Sequence, residues 1–119
     1  DWGYAKDYVE GMWKILQYKK PDDFVLATNS QISVKQFIDL VLKKLKMKTI
    51  WRGSGLKETL FYNNQTIIQV NKKYFRPAEV HSLRGDYSKA KKALKWKPKT
   101  SLSEFVEIMI NYEINKIQK

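Results

Sequence analysis

Hydrophobic residues recur along this chain at two spacings, and the alternation between them predicts helices interspersed with short strands. Ala5, Val9, Met12, Trp13 and Leu16 fall at helical intervals, which predicts an amphipathic helix ending near Lys19–Lys20, ahead of Pro21. Phe24 to Thr28 is a short, continuously apolar run of the kind that forms a buried strand. Ser33 and Gln36 have the spacing of a capping box, in which each side chain satisfies the other's free backbone N–H. The helix they open carries Val34, Phe37, Ile38, Val41, Leu42 and Leu45 on one stripe, the cleanest periodicity in the chain.

Beyond it, Thr49 to Arg52 reads as a second strand and Gly53-Ser54-Gly55 as a flexible turn. That turn lacks the Lys-Ser/Thr a phosphate loop needs. Residues 56–65 are the least determined, with Asn63-Asn64 suggesting a turn tip. Thr66 to Asn71 reads as a strand with β-branched Ile67, Ile68 and Val70. Asp86 is a candidate N-cap for a short helix over 87–94, with Trp96 and Pro98 in the connector behind it. Ser101 and Glu104 form a second capping box, and the final helix carries Phe105, Val106, Met109, Ile110, Ile114 and Ile117. An apolar face that broad implies contact on two sides. The expected fold is α+β, helices packed on short strands in a single domain spanning 1–119, without repeats or low-complexity linkers. Strands with no evident partner and the broad last stripe predict an exposed apolar face where a further domain docks. Self-association through that face, with strand exchange as one route, is expected.

Composition narrows the class. At 119 residues and 43% hydrophobic, one core can form, although a chain this short buries only a moderate share of its surface. No apolar run approaches the roughly 18 residues of a membrane span, and the opening Asp-Trp-Gly does not read as a signal peptide. The absence of cysteine excludes disulfides and thiolate metal sites and fits a reducing compartment, so a cytoplasmic location is expected. His81 is the only histidine and cannot build a histidine cluster, so no metal is expected.

A net charge of +11 admits two readings. A basic domain attracts nucleic-acid backbones, whereas dispersed lysines also arise simply as solvated helix faces. The densest group is Lys89, Lys91, Lys92, Lys95, Lys97 and Lys99. Within it, Lys91, Lys92 and Lys95 fall on the polar side of a helix whose other side is Ala90, Ala93 and Leu94. Base readers favour arginine, asparagine and glutamine, and only three of the 23 Lys and Arg side chains are arginine. The solvated-face reading is preferred and nucleic-acid binding is not expected. The positive field would still draw in a dianionic ligand.

Two of those three arginines, Arg76 and Arg84, fall within Tyr74–Asp86. Arginine offers a rigid fork matched to phosphate, where lysine is a mobile point charge. Pro77 pushes Arg76 toward an extended backbone, and Glu79 follows three residues on. Cation and carboxylate together suit a nucleotide, the diphosphate taking Arg76 and the ribose hydroxyls donating to Glu79. Spacing alone also allows a solvated ion pair at a bend. Among the aromatics, Trp13, Trp51 and Trp96 sit beside apolar positions and are expected in the core. Tyr74 and Phe75 either line a base or anchor the loop.

Three runs occur in order: Asp-Trp-Gly-Tyr-Ala-Lys-Asp-Tyr-Val-Glu at 1–10, Tyr-Phe-Arg-Pro-Ala-Glu-Val at 74–80, and Gly-Asp-Tyr-Ser-Lys-Ala-Lys-Lys-Ala-Leu-Lys-Trp-Lys-Pro-Lys-Thr at 85–100. Together with Asp-Asp-Phe-Val-Leu-Ala-Thr at 22–28 they resemble the C-terminal third of the GDP-mannose 4,6-dehydratase family, extended short-chain dehydrogenase/reductases. The resemblance covers essentially the whole chain. It implies conversion of GDP-mannose to GDP-4-keto-6-deoxymannose, with NADP reduced at the start, reoxidised at the end and water eliminated between. It makes Arg76 the residue that grips the diphosphate and Glu79 the acceptor for the guanosine ribose. It also places Trp2 and Tyr4 near the nucleotide-sugar cleft as further candidates.

The chain departs from the family in several ways. The family's Gly-rich dinucleotide turn and its Tyr-x-x-x-Lys pair are missing. Tyr87 with Lys91 has that spacing but not the family's surroundings. An arginine that usually precedes Asp-Trp-Gly would fall before Asp1. His81 stands where the family usually has Asp, which puts the Gly85–Asp86 turn in question, and nothing is carried over to Arg84. A fragment is therefore expected, the substrate-binding part without the Rossmann domain, inactive alone and without bound NADP. The alternatives are part of another nucleotide-sugar epimerase or dehydratase, or a freestanding basic nucleic-acid-binding or adaptor module.

Overall fold

Both predicted capping boxes form, and each starts a helix. In the computed structural model, which describes every residue except Pro77, His81 and Lys119, Ser33 opens α2 (Val34–Lys44) and Ser101 opens α4 (Leu102–Ile117). In both, the cap hydroxyl accepts from the backbone N–H three residues on while that residue's side chain accepts from the cap. Helix α1 (Ala5–Leu16) lies where its periodicity predicts it. The short α3 (Ser88–Leu94) begins behind Tyr87, and the Asp86 carboxylate accepts from the Ser88 N–H, so Asp86 serves the helix start from one position further out than a cap. The expectations placed on Pro77 and His81 lie outside the described residues.

Three strands make one antiparallel sheet in the order β1 (Thr49–Arg52), β2 (Thr59–Tyr62), β3 (Gln65–Gln69). Asn63 and Asn64 both take positive φ, at 48° and 62°, as a two-residue hairpin turn matched to strand twist requires. Asparagine tolerates that conformation better than most residues because its short side chain bonds locally. The register shifts at Leu60/Phe61, and Leu60 is fully buried. The strands expected at 49–52 and 66–71 thus both find a partner, not in each other but on either side of β2, which lies in the stretch the sequence left least determined. Phe24–Thr28, in contrast, is not a strand. Among the described residues no strand lies alongside it, and Phe24 and Leu26 pack against the helical core instead while Val25 is exposed.

With helices and a separate antiparallel sheet, the chain is α+β. Its main core is Ala90, Leu94 and Trp96, with Ile15, Phe24, Leu26, Tyr87 and Ala93 packed around it. Trp96 is 1% exposed, and Tyr8 and Tyr87 both meet it edge-on at 5.9 Å. Gly11 lets α1 approach this point, since a Cβ there would lie 2.6 Å from Leu26 Cδ1 and 3.0 Å from Trp96 Nε1. A second cluster joins α2 to α4, where Phe105 meets Phe37 at 6.2 Å on one side and Tyr4 at 6.0 Å on the other.

The apolar stripe of α1 faces outward. Asp7 and Gly11 are the buried positions of this helix, while Val9, Met12, Trp13 and Leu16 are exposed, Leu16 to 77%. Trp13, expected in the core, is therefore a surface residue. Trp51 is half-buried and donates from its indole N–H to Asp39 at 2.8 Å. The α2–α4 pair also leaves an open apolar groove between Phe37, Val41 and Leu45 on one wall and Ile110, Ile114 and Ile117 on the other. The radius of gyration is 18.1 Å, against roughly 13.5 Å for a compact domain of this length. Among the described residues no helix is long and apolar enough to cross a membrane.

Candidate functional site

The segment after β3 is launched by a tight turn. The Asn71 side chain accepts from the Lys73 N–H at 2.9 Å, and Lys72–Tyr74 makes a single 3-10 turn. Tyr74, Arg76 and Glu79 then share a shallow groove with Gln69, Val70 and Asn71 at the end of β3. Arg76 Nη1 lies 3.6 Å from Glu79 Oε2, and both side chains are largely exposed. Among the described residues this is a loose, single-point pair, with no second contact to either the guanidinium fork or the carboxylate. Tyr74 is 72% exposed and Phe75 56%, so neither anchors the loop to a core.

Trp2 and Tyr4 do not line that groove. Trp2 stacks on Phe37 at 4.5 Å, with ring planes 17° apart, and its indole N–H donates to the Ile32 carbonyl. It borders a different cavity, of about 300 Å³, with Thr28, Ser30 and the 98–102 connector. Tyr4 precedes α1 and rests on Phe105. Arg84 lies near Asp86, whose carboxyl is held below the usual carboxylate range mainly by its bonds with Ser88 and slightly by that arginine.

Two acids that sequence reasoning quoted within a run but gave no role turn out to organise the fold. Asp7 is buried, and its Oδ2 accepts from the backbone N–H groups of Lys99 at 3.0 Å and Thr100 at 2.8 Å. Its backbone carbonyl takes the Trp96 indole N–H at 2.8 Å. Burial pushes its carboxyl up, but the donors from Thr100 and Lys99 and the Lys99 charge outweigh this, and the group sits below the ordinary value. Asp1 accepts through Oδ1 from the Thr28 N–H (2.8 Å) and hydroxyl (2.7 Å), and through Oδ2 from Asn29 (3.0 Å) and Gly85 (3.3 Å). The signal available in the sequence was an acid at fixed distance from a helix start, which is too common to interpret alone.

Several lysines are structural. Lys89 pairs with Asp22 at 2.6 Å, Lys99 with Glu10 at 2.5 Å and Lys44 with Glu107 at 2.8 Å, each linking distant segments, and Lys35 bonds Glu58. Lys91, Lys92 and Lys97 are exposed, as a solvated helix face requires.

Two sequence features with dinucleotide-like spacing have other places in the fold. Gly53 and Gly55 connect β1 to a 3-10 turn and then β2, not a strand to a helix. Tyr87 is the residue before α3 with its ring against Trp96, and the Lys91 N–H simply bonds its carbonyl. Among the described residues no group of three His, Asp or Glu is placed to hold a metal.

Comparison with known proteins adds an independent finding. Residues 1–109 match the family described as GDP-mannose 4,6 dehydratase. GDP-mannose 4,6 dehydratase 2 of Caenorhabditis elegans is 43% identical over 115 residues, covering 96% of this chain and 30% of that protein. The GDP-mannose 4,6 dehydratase of Drosophila melanogaster is 42% identical over 121 residues, covering 100% and 31%. That of Vibrio cholerae is 37% identical over 131 residues, covering 100% and 35%. The chain thus spans about a third of the length of the curated relatives it matches.

Proposed function

This chain belongs to the GDP-mannose 4,6 dehydratase family, and from that premise we propose that it is the C-terminal nucleotide-sugar-binding domain of such an enzyme. In this reading residues 1–119 are one domain of an extended short-chain dehydrogenase/reductase, working in the cytoplasm beside an N-terminal Rossmann domain. The enzyme converts GDP-mannose to GDP-4-keto-6-deoxymannose, and this domain holds the GDP. NADP, and the oxidation and reduction the overall reaction needs, are assigned to the remainder of the enzyme, a reading supported by Gly53 and Gly55 leading from β1 to β2 and not from a strand to a helix. The chain alone should neither bind NADP nor turn over sugar nucleotide.

One observation carries the reading: an exposed arginine and an exposed carboxylate, 3.6 Å apart, share an open groove with Tyr74 beside them. A diphosphate entering the groove replaces one weak, screened contact with charge-assisted bonds to the guanidinium fork. Freed from Arg76, Glu79 accepts the ribose hydroxyls. Tyr74 supplies an apolar ring at the groove edge. The exposed stripe of α1 and the α2–α4 groove are the surfaces available for docking the Rossmann domain, and in the isolated chain they promote self-association.

The test is substitution in the complete enzyme. Arg76→Ala should weaken GDP and GDP-mannose binding by roughly 2–5 kcal/mol, the range for truncating one partner of a desolvated charge pair. Arg76→Lys should already weaken it, because a point charge cannot reproduce the fork. Glu79→Gln should cost about 1–2 kcal/mol, since the amide oxygen still accepts one hydroxyl. Calorimetry with GDP, UDP and dTDP, alongside steady-state kinetics, reads these effects mainly in KM, with NADP affinity unchanged. Undiminished GDP affinity in Arg76→Ala would make this arginine a surface ion-pair residue and end the assignment.

A further inference from the structure

We propose that residues 25–31 form a platform that positions the Arg76–Glu79 loop, with Gln31 and Ser82 as its positioning pair; the proposal rests on the binding roles just given to Arg76 and Glu79. Between Phe75 and Asp86 the described residues contain no helix or strand, so no backbone ladder fixes the loop. Among the described residues, the attachments that follow Glu79 run to one short stretch and to Asp1, whose ammonium donates to the Leu83 carbonyl at 3.3 Å. Gln31 Nε2 donates to Ser82 Oγ at 2.9 Å, and Ser82 Oγ lies 3.0 Å from Gln31 Oε1 as a donor, across 51 residues of sequence. Three residues on, Gly85 sits directly against the same stretch. A Cβ at Gly85 would come 2.4 Å from Ala27 Cβ and 3.3 Å from Val25 Cγ1.

The platform is itself fixed. Asp1 clamps Thr28 and Asn29 with both carboxylate oxygens and reaches across to the Gly85 N–H. Asn29 takes a positive φ of 58°, and the Thr28 hydroxyl accepts from the Ser30 N–H at 3.2 Å. Ala27 is 4% exposed. A cross-linked stretch with Ala27 buried within it therefore meets the loop at positions just downstream of its two ligand-facing residues. Holding the loop in place before the ligand arrives removes an ordering cost from binding, and small displacements of a positioning element are costly when charged contacts must align.

Gln31 and Ser82 are the informative pair because they touch through exposed side chains alone, so removing either opens no cavity. In the complete enzyme, Gln31→Ala and Ser82→Ala should each raise the Kd for GDP about three- to tenfold, the worth of one neutral hydrogen bond. The KM for GDP-mannose should rise in parallel with little change in kcat. The double variant should be no weaker than either single one, and Ser82→Thr, which keeps the hydroxyl, should retain wild-type affinity. In an Arg76→Ala background, removing Gln31 should cost less than in the wild type, because only the Glu79 contact is left to position. Unchanged GDP affinity in both single variants, or a loss of the same size with and without Arg76, overturns the positioning role while leaving Arg76 as the binding residue. If Arg76→Ala itself binds GDP normally, the underlying reading fails and this proposal fails with it.

Discussion

Asp7 and Glu79 are carboxylates from two of the family-like runs, and the chain treats them in opposite ways. Asp7 lies under the connector before α4, its Oδ2 accepting two backbone N–H groups and its carbonyl taking the Trp96 indole. Glu79 stands in an open groove with one long contact to an arginine that is more exposed still. An acceptor whose lone pairs are met by its own backbone cannot be recruited by a ligand, and one that is nearly free can be. The difference separates residues the fold needs from residues it merely displays. Within this chain, Trp96 is enclosed, while Tyr74, Arg76, Glu79 and the outer face of α1 are surfaces.

The comparison is tested hardest at Trp96. Trp96→Ala should destabilise the chain by about 3–5 kcal/mol, the range for emptying a buried aromatic site, and should lower the denaturant midpoint strongly. If it unfolds near the wild-type midpoint, the Trp96 cluster is not the core. Asp7→Ala should come next, at about 1–3 kcal/mol, because the N–H groups of Lys99 and Thr100 are left without their acceptor. Here pH gives a second readout. The Asp7 carboxyl is lowered in the folded chain, so its contribution is fully present above its unfolded value of about 3.9. It is lost as pH falls through the lower folded value, where the proton binds in both states. The stability difference between wild type and Asp7→Asn should accordingly shrink below about pH 4. A difference that stays constant down to the acid transition would show that the charge of Asp7 contributes nothing.

Much of this fold was legible because its signals are local. Ser33 with Gln36 and Ser101 with Glu104 specify two helix starts within four residues each, and Asn63-Asn64 specifies a hairpin tip. Phe24–Thr28 misled for the opposite reason. An apolar run shows that a segment has side chains to bury, here Ala27 and in part Phe24 and Leu26, but whether it is a strand depends on a neighbour to hydrogen-bond with, and the run cannot report that. The periodicity of α1 was equally blind to its direction. It located an apolar stripe correctly, but the side that packs within this chain is the one bearing Asp7 and Gly11, chosen by Trp96 and the 99–100 backbone. At the candidate site, Arg76 and Glu79 were findable because arginine is scarce here and the spacing is short. Gln31 and Ser82 were not, since 51 residues separate two ordinary polar side chains.

The smallest expected effect lies on the outer face of α1, where the same substitution should behave differently in two settings. Trp13 is 62% exposed, and Val9, Met12 and Leu16 beside it are exposed as well. Trp13→Gln should change the unfolding free energy of the isolated chain by no more than about 0.5 kcal/mol, as surface substitutions usually do. It should also reduce self-association at high concentration, read by sedimentation, since it breaks the apolar stripe. In the complete enzyme, a stripe covered by the Rossmann domain makes the same change a core substitution, costing about 2 kcal/mol or more. A variant that is neutral in both settings would leave this stripe solvated in the enzyme and remove it as the docking surface. A cost of full core size in the isolated chain would place Trp13 inside the packed region, and the contrast between the two faces of α1 would be lost.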